Sequence, residues 1–188
     1  MINFSEGINS YFASLKLALD NMDREEINVL INLLLQARDA GHHIFIMGNG
    51  GSASTASHSV CDFNKGLSYG KESRFKLICL NDNLATVSAY SNDVSYDSAF
   101  VEQLKNFLEP GDLVIGISGS GNSKNILLAI EYANGKGAVT VGITGYDGGK
   151  LKEVANYSVN ANINDMQISE DIHMILNHLC MKLIYSYS

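Results

Sequence analysis

The chain has 188 residues, 46% of them hydrophobic, and a net charge of −7 at neutral pH. Those figures suit one domain with a real core. There is no basic block to form a nucleic-acid surface and no apolar run long enough to span a bilayer.

Apolar positions Ile8, Phe12, Leu15, Leu17 and Leu19 recur at near-helical spacing and predict a helix over 5–21. A second helix is predicted from Asp23. It carries Ile27, Leu30, Ile31, Leu33, Leu34 and Leu35 and ends near Gly41. From there strands and helices alternate. Strands are predicted at 42–47, 74–80, 112–117, 139–144 and 156–161. Helices are predicted near 52–65, 84–91, 98–108, 123–135 and 148–154. A last helix runs over 169–187, with Ser169 as its cap and Glu170 and Asp171 in its first turn. The only proline, Pro110, sits in a turn that launches a strand. This alternation predicts an α/β fold: a doubly wound, five-stranded parallel sheet between two layers of helices, as one domain over 1–188. The first two helices and the last have wide apolar faces, which predict oligomer contacts through the two ends of the chain. Cys61, Cys79 and Cys180 lack metal-ligand spacing, and an odd number of scattered thiols fits a reducing cytosol. Cys61 is expected to be a buried small apolar residue. The first residues lack the features of a signal peptide, so a cytoplasmic location is expected.

Two glycine- and serine-rich loops each follow an apolar strand and open a helix. The first is Gly48-Asn49-Gly50-Gly51-Ser52-Ala53-Ser54. The second is Ser118-Gly119-Ser120-Gly121-Asn122-Ser123. Small residues at a strand–helix junction let backbone N–H groups and hydroxyls close around an anion. Neither loop has the lysine of a nucleotide-triphosphate loop, which points to a monophosphate or another small group. In a parallel sheet, ligands bind beyond the carboxyl ends of the strands, and both loops lie there. The first loop also fits the G-x-G-x-x-A dinucleotide pattern. That pattern alone is weak evidence, and Asp82 lies farther away than the roughly 20 residues expected of a ribose contact. A dinucleotide site has no need of Ser118, Ser120 and Ser123, whereas a phosphate does.

His58 and Asp62 are four residues apart and share a helix face. Glu170 and His178 differ by about 80° around the last helix and about 12 Å along it. Both reach one small ion only if the helix start is distorted or another subunit helps.

The serine pattern at 118–123, with Gly48-Asn49-Gly50-Gly51-Ser52, resembles the sugar isomerase (SIS) domain family, and within it the phosphoheptose isomerases. The resemblance covers nearly the whole chain and includes His58, Asn92-Asp93, Gly116-Ile117-Ser118, Thr144-Gly145, Asp147 to Lys150, His173 and His178. It implies a homotetramer that interconverts sedoheptulose 7-phosphate and a heptose 7-phosphate, often with zinc, in lipopolysaccharide or capsule synthesis. It implies substrate contacts at Asn49, Gly50, Gly51, Ser52, Asn92, Asp93, Ser118, Gly119, Ser120 and Ser123. It implies a metal set of His58, Asp62, Glu170 and His178. Moving a proton between adjacent carbons needs a carboxylate base and an acid or ion for the oxyanion. Asp62 or Glu170 fits the base, and His178 fits ring opening or proton shuttling. His173 is read as structural.

The chain departs from the family pattern in four places. Asp62 stands for a glutamate, Glu170 for a glutamine and Gly119 for a threonine. An arginine is missing from the stretch at Asn64, Lys65 and Gly66. These departures bear on heptose specificity. They keep open an alternative, a non-catalytic phosphosugar-binding regulator such as a partner of a replication initiator. A nicotinamide dehydrogenase would rest on the first loop alone.

Overall fold

The computed structural model describes residues 1–187. Local signals set the first elements. Helix α1 spans Ser5–Asn21 and α2 spans Arg24–Ala40. The Asp23 carboxylate accepts from the N–H groups of Glu25 (2.7 Å) and Glu26 (3.3 Å), which caps α2 at its start. Gly41 ends α2 in the left-handed region, φ 72°, where a side chain would be strained.

Strand β1 (Ile44–Gly48) then leads into α3 (Gly51–Cys61), and β2 (Leu77–Cys79) into α4 (Leu84–Asp93) and α5 (Ala99–Phe107). Next come β3 (Leu113–Ser118), α6 (Lys124–Gly135), β4 (Val139–Thr144), α7 (Gly149–Val154), β5 (Tyr157–Asn160) and α8 (Met166–Tyr187). The five strands are all parallel, in the order β2-β1-β3-β4-β5. Every residue of β1 and β3 is buried, as expected for parallel strands covered on both faces. Alternate residues feed two cores. Ile44, Ile46, Ile115 and Ile117 pack with Leu30, Leu34, Leu176 and Cys180 of α2 and α8. Phe45, Met47 and Val114 pack with Phe100, Leu104, Ile126 and Ile130 of α5 and α6. The order of strands reverses between β1 and β3. Both loops leave the sheet there, at the topological switch point.

Three expectations are corrected. The last helix starts at Met166, not at residue 169. Asp165 caps it by accepting from Ile168 N–H (3.0 Å), while the buried Ser169 donates its hydroxyl back to the Asp165 carbonyl (2.7 Å). An aspartate one turn earlier outcompetes the serine. The helix expected over 52–65 keeps α geometry only to Cys61 and continues as a π-helical stretch, Asp62–Leu67. Cys61 is exposed, on the outer side of α3.

The ends of the chain carry unburied apolar surface. Helix α1 buries only Ala18 and exposes Ile8, Phe12 and Leu17, and α8 exposes Leu183 and Tyr185. The Tyr11 hydroxyl of α1 donates to Asp171 of α8 at 2.5 Å. That bond pushes the phenol pKa up to about 12. Among the described residues no helix is long and apolar enough to cross a membrane.

Candidate active site

The first loop is held by side-chain amides. Gly48 N–H donates to Asn81 Oδ1 (3.1 Å), and Asn81 Nδ2 donates back to the Gly48 carbonyl (2.8 Å). Asn49 forms a reciprocal amide pair with the buried Asn125 of α6, both bonds 3.0 Å, and accepts from the Tyr96 hydroxyl at 2.6 Å. Asn49 therefore ties β1 to the start of α6 across the switch point. Gly50 precedes α3 with φ 56° and offers no side-chain cap. A carboxylate comes in from elsewhere: a Cβ added to Gly51 would land on the carboxylate of Glu170. Negative charge is stabilised at a helix N-terminus. A dinucleotide pyrophosphate would have to displace that carboxylate, which counts against the dehydrogenase reading. Ser52, the residue after Gly51, is buried.

The second loop gathers its hydroxyls as the sequence implies. Ser118 Oγ and Ser123 Oγ lie 3.0 Å apart, and Ser120 Oγ accepts from Asn122 N–H at 3.3 Å. The Ser123 hydroxyl does not cap α6 and faces Ser118 instead. Gly119 is buried, and a Cβ there would press on Met166 at the start of α8. Lys124, next to this loop, is paired with Asp97 at 2.6 Å.

At the far end of α3, three donors converge. Asp62 Oδ2 lies 3.2 Å from His58 Nε2 and 3.7 Å from His178 Nε2, and the two imidazole nitrogens are 3.1 Å apart. Asp62 opens the π-helical stretch, a feature frequent at functional sites. Asn177 Nδ2 donates to Asp62 Oδ2 at 2.7 Å. Two imidazole nitrogens so close need a proton or a cation between them. Donors at about 2.0–2.1 Å from a tetrahedral zinc are roughly 3.3 Å apart, so this spacing fits such an ion. Among the described residues, this is the one group of three or more candidate ligands.

The structure separates other residues from that cluster. Glu170 lies over Gly51, at the opposite end of α3 from Asp62. Asn92 and Asp93 are exposed at the end of α4 and bonded to each other at 2.7 Å. Among the described residues neither side chain hydrogen-bonds to either loop. His173 is buried, and desolvation holds its pKa below the usual 6.5. Burial pushes the Cys79 and Cys180 thiols up to about 12, so neither is a thiolate nucleophile. Sequence reasoning missed Asn81, Tyr96, Asn125 and Asn177. Only Asn177 gave a signal, since it adjoins His178 on the last helix.

The SIS domain model matches residues 10–145. The probable phosphoheptose isomerase of Thermoplasma acidophilum is 34% identical over 164 residues, 87% of this chain and 90% of the relative. The phosphoheptose isomerase of Clostridium acetobutylicum is 31% identical over 186 residues, 98% of this chain and 94% of the relative. The structure of phosphoheptose isomerase GmhA from Neisseria gonorrhoeae superposes with a TM-score of 0.89 at 26% identity, covering 98% of this chain and all of that one.

The state of His173 sets a pH dependence. Its folded pKa is depressed, so on acidification the unfolded chain takes up a proton that the folded chain refuses. Its contribution to stability is intact above the unfolded pKa of about 6.5 and is lost progressively below it. The urea midpoint of the wild type is expected to fall more between neutral and mildly acidic pH than that of His173→Phe. Equal falls in the two proteins would place the acid sensitivity elsewhere.

Proposed function

We propose, from the premise that this chain belongs to the SIS-domain family and to its phosphoheptose isomerase branch, that it interconverts sedoheptulose 7-phosphate and a heptose 7-phosphate. The observation that carries this reading is a carboxylate between two imidazoles at the end of α3, together with the hydroxyl-rich loop that opens α6. A phosphate at the loops and a reacting carbon pair at Asp62 would occupy opposite ends of an elongated sugar.

In this reading the hydroxyls of Ser118, Ser120 and Ser123, with the N–H groups opening α6, hold the phosphate. Asn49, Gly50, Gly51 and Ser52 face the sugar hydroxyls, and the Glu170 carboxylate accepts from one of them. Gly119 supplies backbone, and its lack of a side chain makes room for Met166. Asp62 is the base. Its Oδ2 takes all the contacts described above, and among the described residues Oδ1 accepts no hydrogen bond. Oδ1 removes the proton from one carbon and returns it to the neighbouring carbon through an enediol, while the half-exposed His178 imidazole, where its Nε2 is not taken up by an ion, moves the proton between the two oxygens. The reaction is balanced with no external oxidant. His58, Asp62 and His178 would hold a divalent ion, zinc by donor type, which when bound stabilises charge on the substrate oxygen. Glu170 is left out of this trio and completes the set only if the start of α8 shifts or another subunit contributes it.

The unburied faces of α1 and α8 support a homotetramer. The exposure of Asn92 and Asp93 fits a site that these residues complete in a neighbouring copy. Thiol usage supports a cytoplasmic setting, and the substrate class supports a role in surface-glycan synthesis. Light scattering is expected to give four times the mass of one 20.4 kDa chain. A monomer at micromolar concentration would remove this assembly.

Ser120→Ala is expected to raise KM roughly ten- to a hundredfold, on the order of 1.4 kcal/mol per decade, with kcat little changed. Unchanged sugar-phosphate affinity would move the phosphate elsewhere.

Asp62→Asn is expected to lower kcat roughly 10²- to 10⁴-fold with little effect on KM. The purified protein is expected to carry about one divalent ion per chain, which His58→Ala and His178→Ala abolish. Full activity in metal-free protein would refute the metal role. Tight binding of sugar phosphates without turnover would favour the regulator.

A further inference from the structure

We propose that a small cavity beneath α8 holds ordered water, which hydrogen-bonds His173 and braces Asn177 against Asp62, making His173 a positioning residue. This inference rests on the reading of Asp62 as the base.

His173 is 2% exposed, and its ring lies near the Thr144 backbone, but neither ring nitrogen makes a well-formed hydrogen bond among the described residues. A neutral imidazole always presents one donor and one acceptor. Leaving both unpaired in an apolar interior is costly, and a leucine or phenylalanine would avoid that cost. The ring lines a cavity of about 30 Å³, more than the roughly 10–15 Å³ that one water needs. Most of the wall is aliphatic, including Leu34, Ile46 and Leu176, but Thr55, Ser59 and Asn177 also line it.

These polar groups have capacity to spare. The Ser59 hydroxyl donates to the Thr55 carbonyl (2.8 Å) and the Thr55 hydroxyl to the Gly51 carbonyl (3.4 Å), which leaves lone pairs on both oxygens to accept from water. Asn177 lies one turn beyond His173 on the same face of α8. Its Nδ2 is committed to Asp62, and among the described residues its Oδ1 accepts nothing. Buried water takes two to four polar partners, and His173, Asn177 and the two hydroxyls supply them. Water bonded to both His173 and Asn177 Oδ1 would fix the amide rotamer. The amide then holds Oδ2 of Asp62 and keeps Oδ1 aimed at the substrate. None of these contacts involves the loop at 118–123, so the network governs turnover and leaves phosphate binding alone.

A crystal structure of the wild type at a resolution that places water is expected to show at least one ordered water within bonding distance of a His173 ring nitrogen and Asn177 Oδ1. His173→Phe fills the cavity with apolar volume. It is expected to lower kcat roughly tenfold with KM unchanged and metal content equal to wild type. His173→Gln keeps a donor and an acceptor and is expected to restore most of the loss. A dry cavity, or a folded His173→Phe protein with wild-type kcat, overturns the proposal. If His173→Phe does not fold, the wild-type water density and the kcat of His173→Gln decide. A wild type that turns over no sugar phosphate refutes the isomerase reading, while the water density still answers for the cavity.

Discussion

Everything at this site depends on how closely α8 lies against the first loop and α3. Helices pack at distances set by the side chains between them, and three positions that face α8 are glycines. A Cβ at Gly51 would strike Glu170, one at Gly145 would strike Ser169, and one at Gly66 would lie 2.5 Å from Met181 Cε. The three positions sit in three separate segments of the chain, and all lie under the same last helix. That close approach brings His178 to within 3.1 Å of His58 and Asn177 to within 2.7 Å of Asp62. Without it the hydroxyls of Ser118 and Ser123 would still face each other, but His178 and Asn177 would not reach Asp62.

The loops are built to be rigid. The Asn49–Asn125 pair and the Asn81–Gly48 clamp fix the first loop from two neighbouring elements, using neutral amides. Neutral donors matter in a chain of net charge −7, because its overall field repels a phosphorylated sugar. Affinity must come from short hydrogen bonds in a preformed cradle. Lys124, beside the second loop, is paired with Asp97 at 2.6 Å. Such a site trades long-range attraction for geometric selectivity.

The framework was legible because its signals are local. Strands β1 and β3 are apolar runs between turn residues, and Asp23 and Gly41 bound α2 with the capping chemistry that their residue types announce. Both loops fall at the switch point, as strand–loop–helix order requires. The errors arose where two local rules compete. Ser169 and Asp165 are both capping residues on the sequence, and only the structure shows the serine bonding backward to the aspartate. The π-helical stretch has no periodic signature of its own. Asn177 meets Asp62 across 115 positions of sequence, and no spacing rule reports a contact made by tertiary packing.

The two carboxylates that depart from the family pattern take their meaning from where the fold puts them. Asp62 is one methylene shorter than the glutamate it stands for. It is the first residue of a π-helical stretch, with φ −62° and ψ −45° as in a plain helix. An amide and two imidazoles then surround one of its oxygens. Glu170 carries a charge where the pattern has an amide. That charge rests on the N-terminus of α3, where the helix dipole favours it by roughly 0.3–1 kcal/mol. Each change therefore has a compensating partner within this chain. Loss of function by drift would leave a carboxylate unpartnered, whereas here one is caged by hydrogen-bonding side chains and the other lies on a helix terminus. That arrangement argues for a site adjusted to its own substrate rather than one in decay.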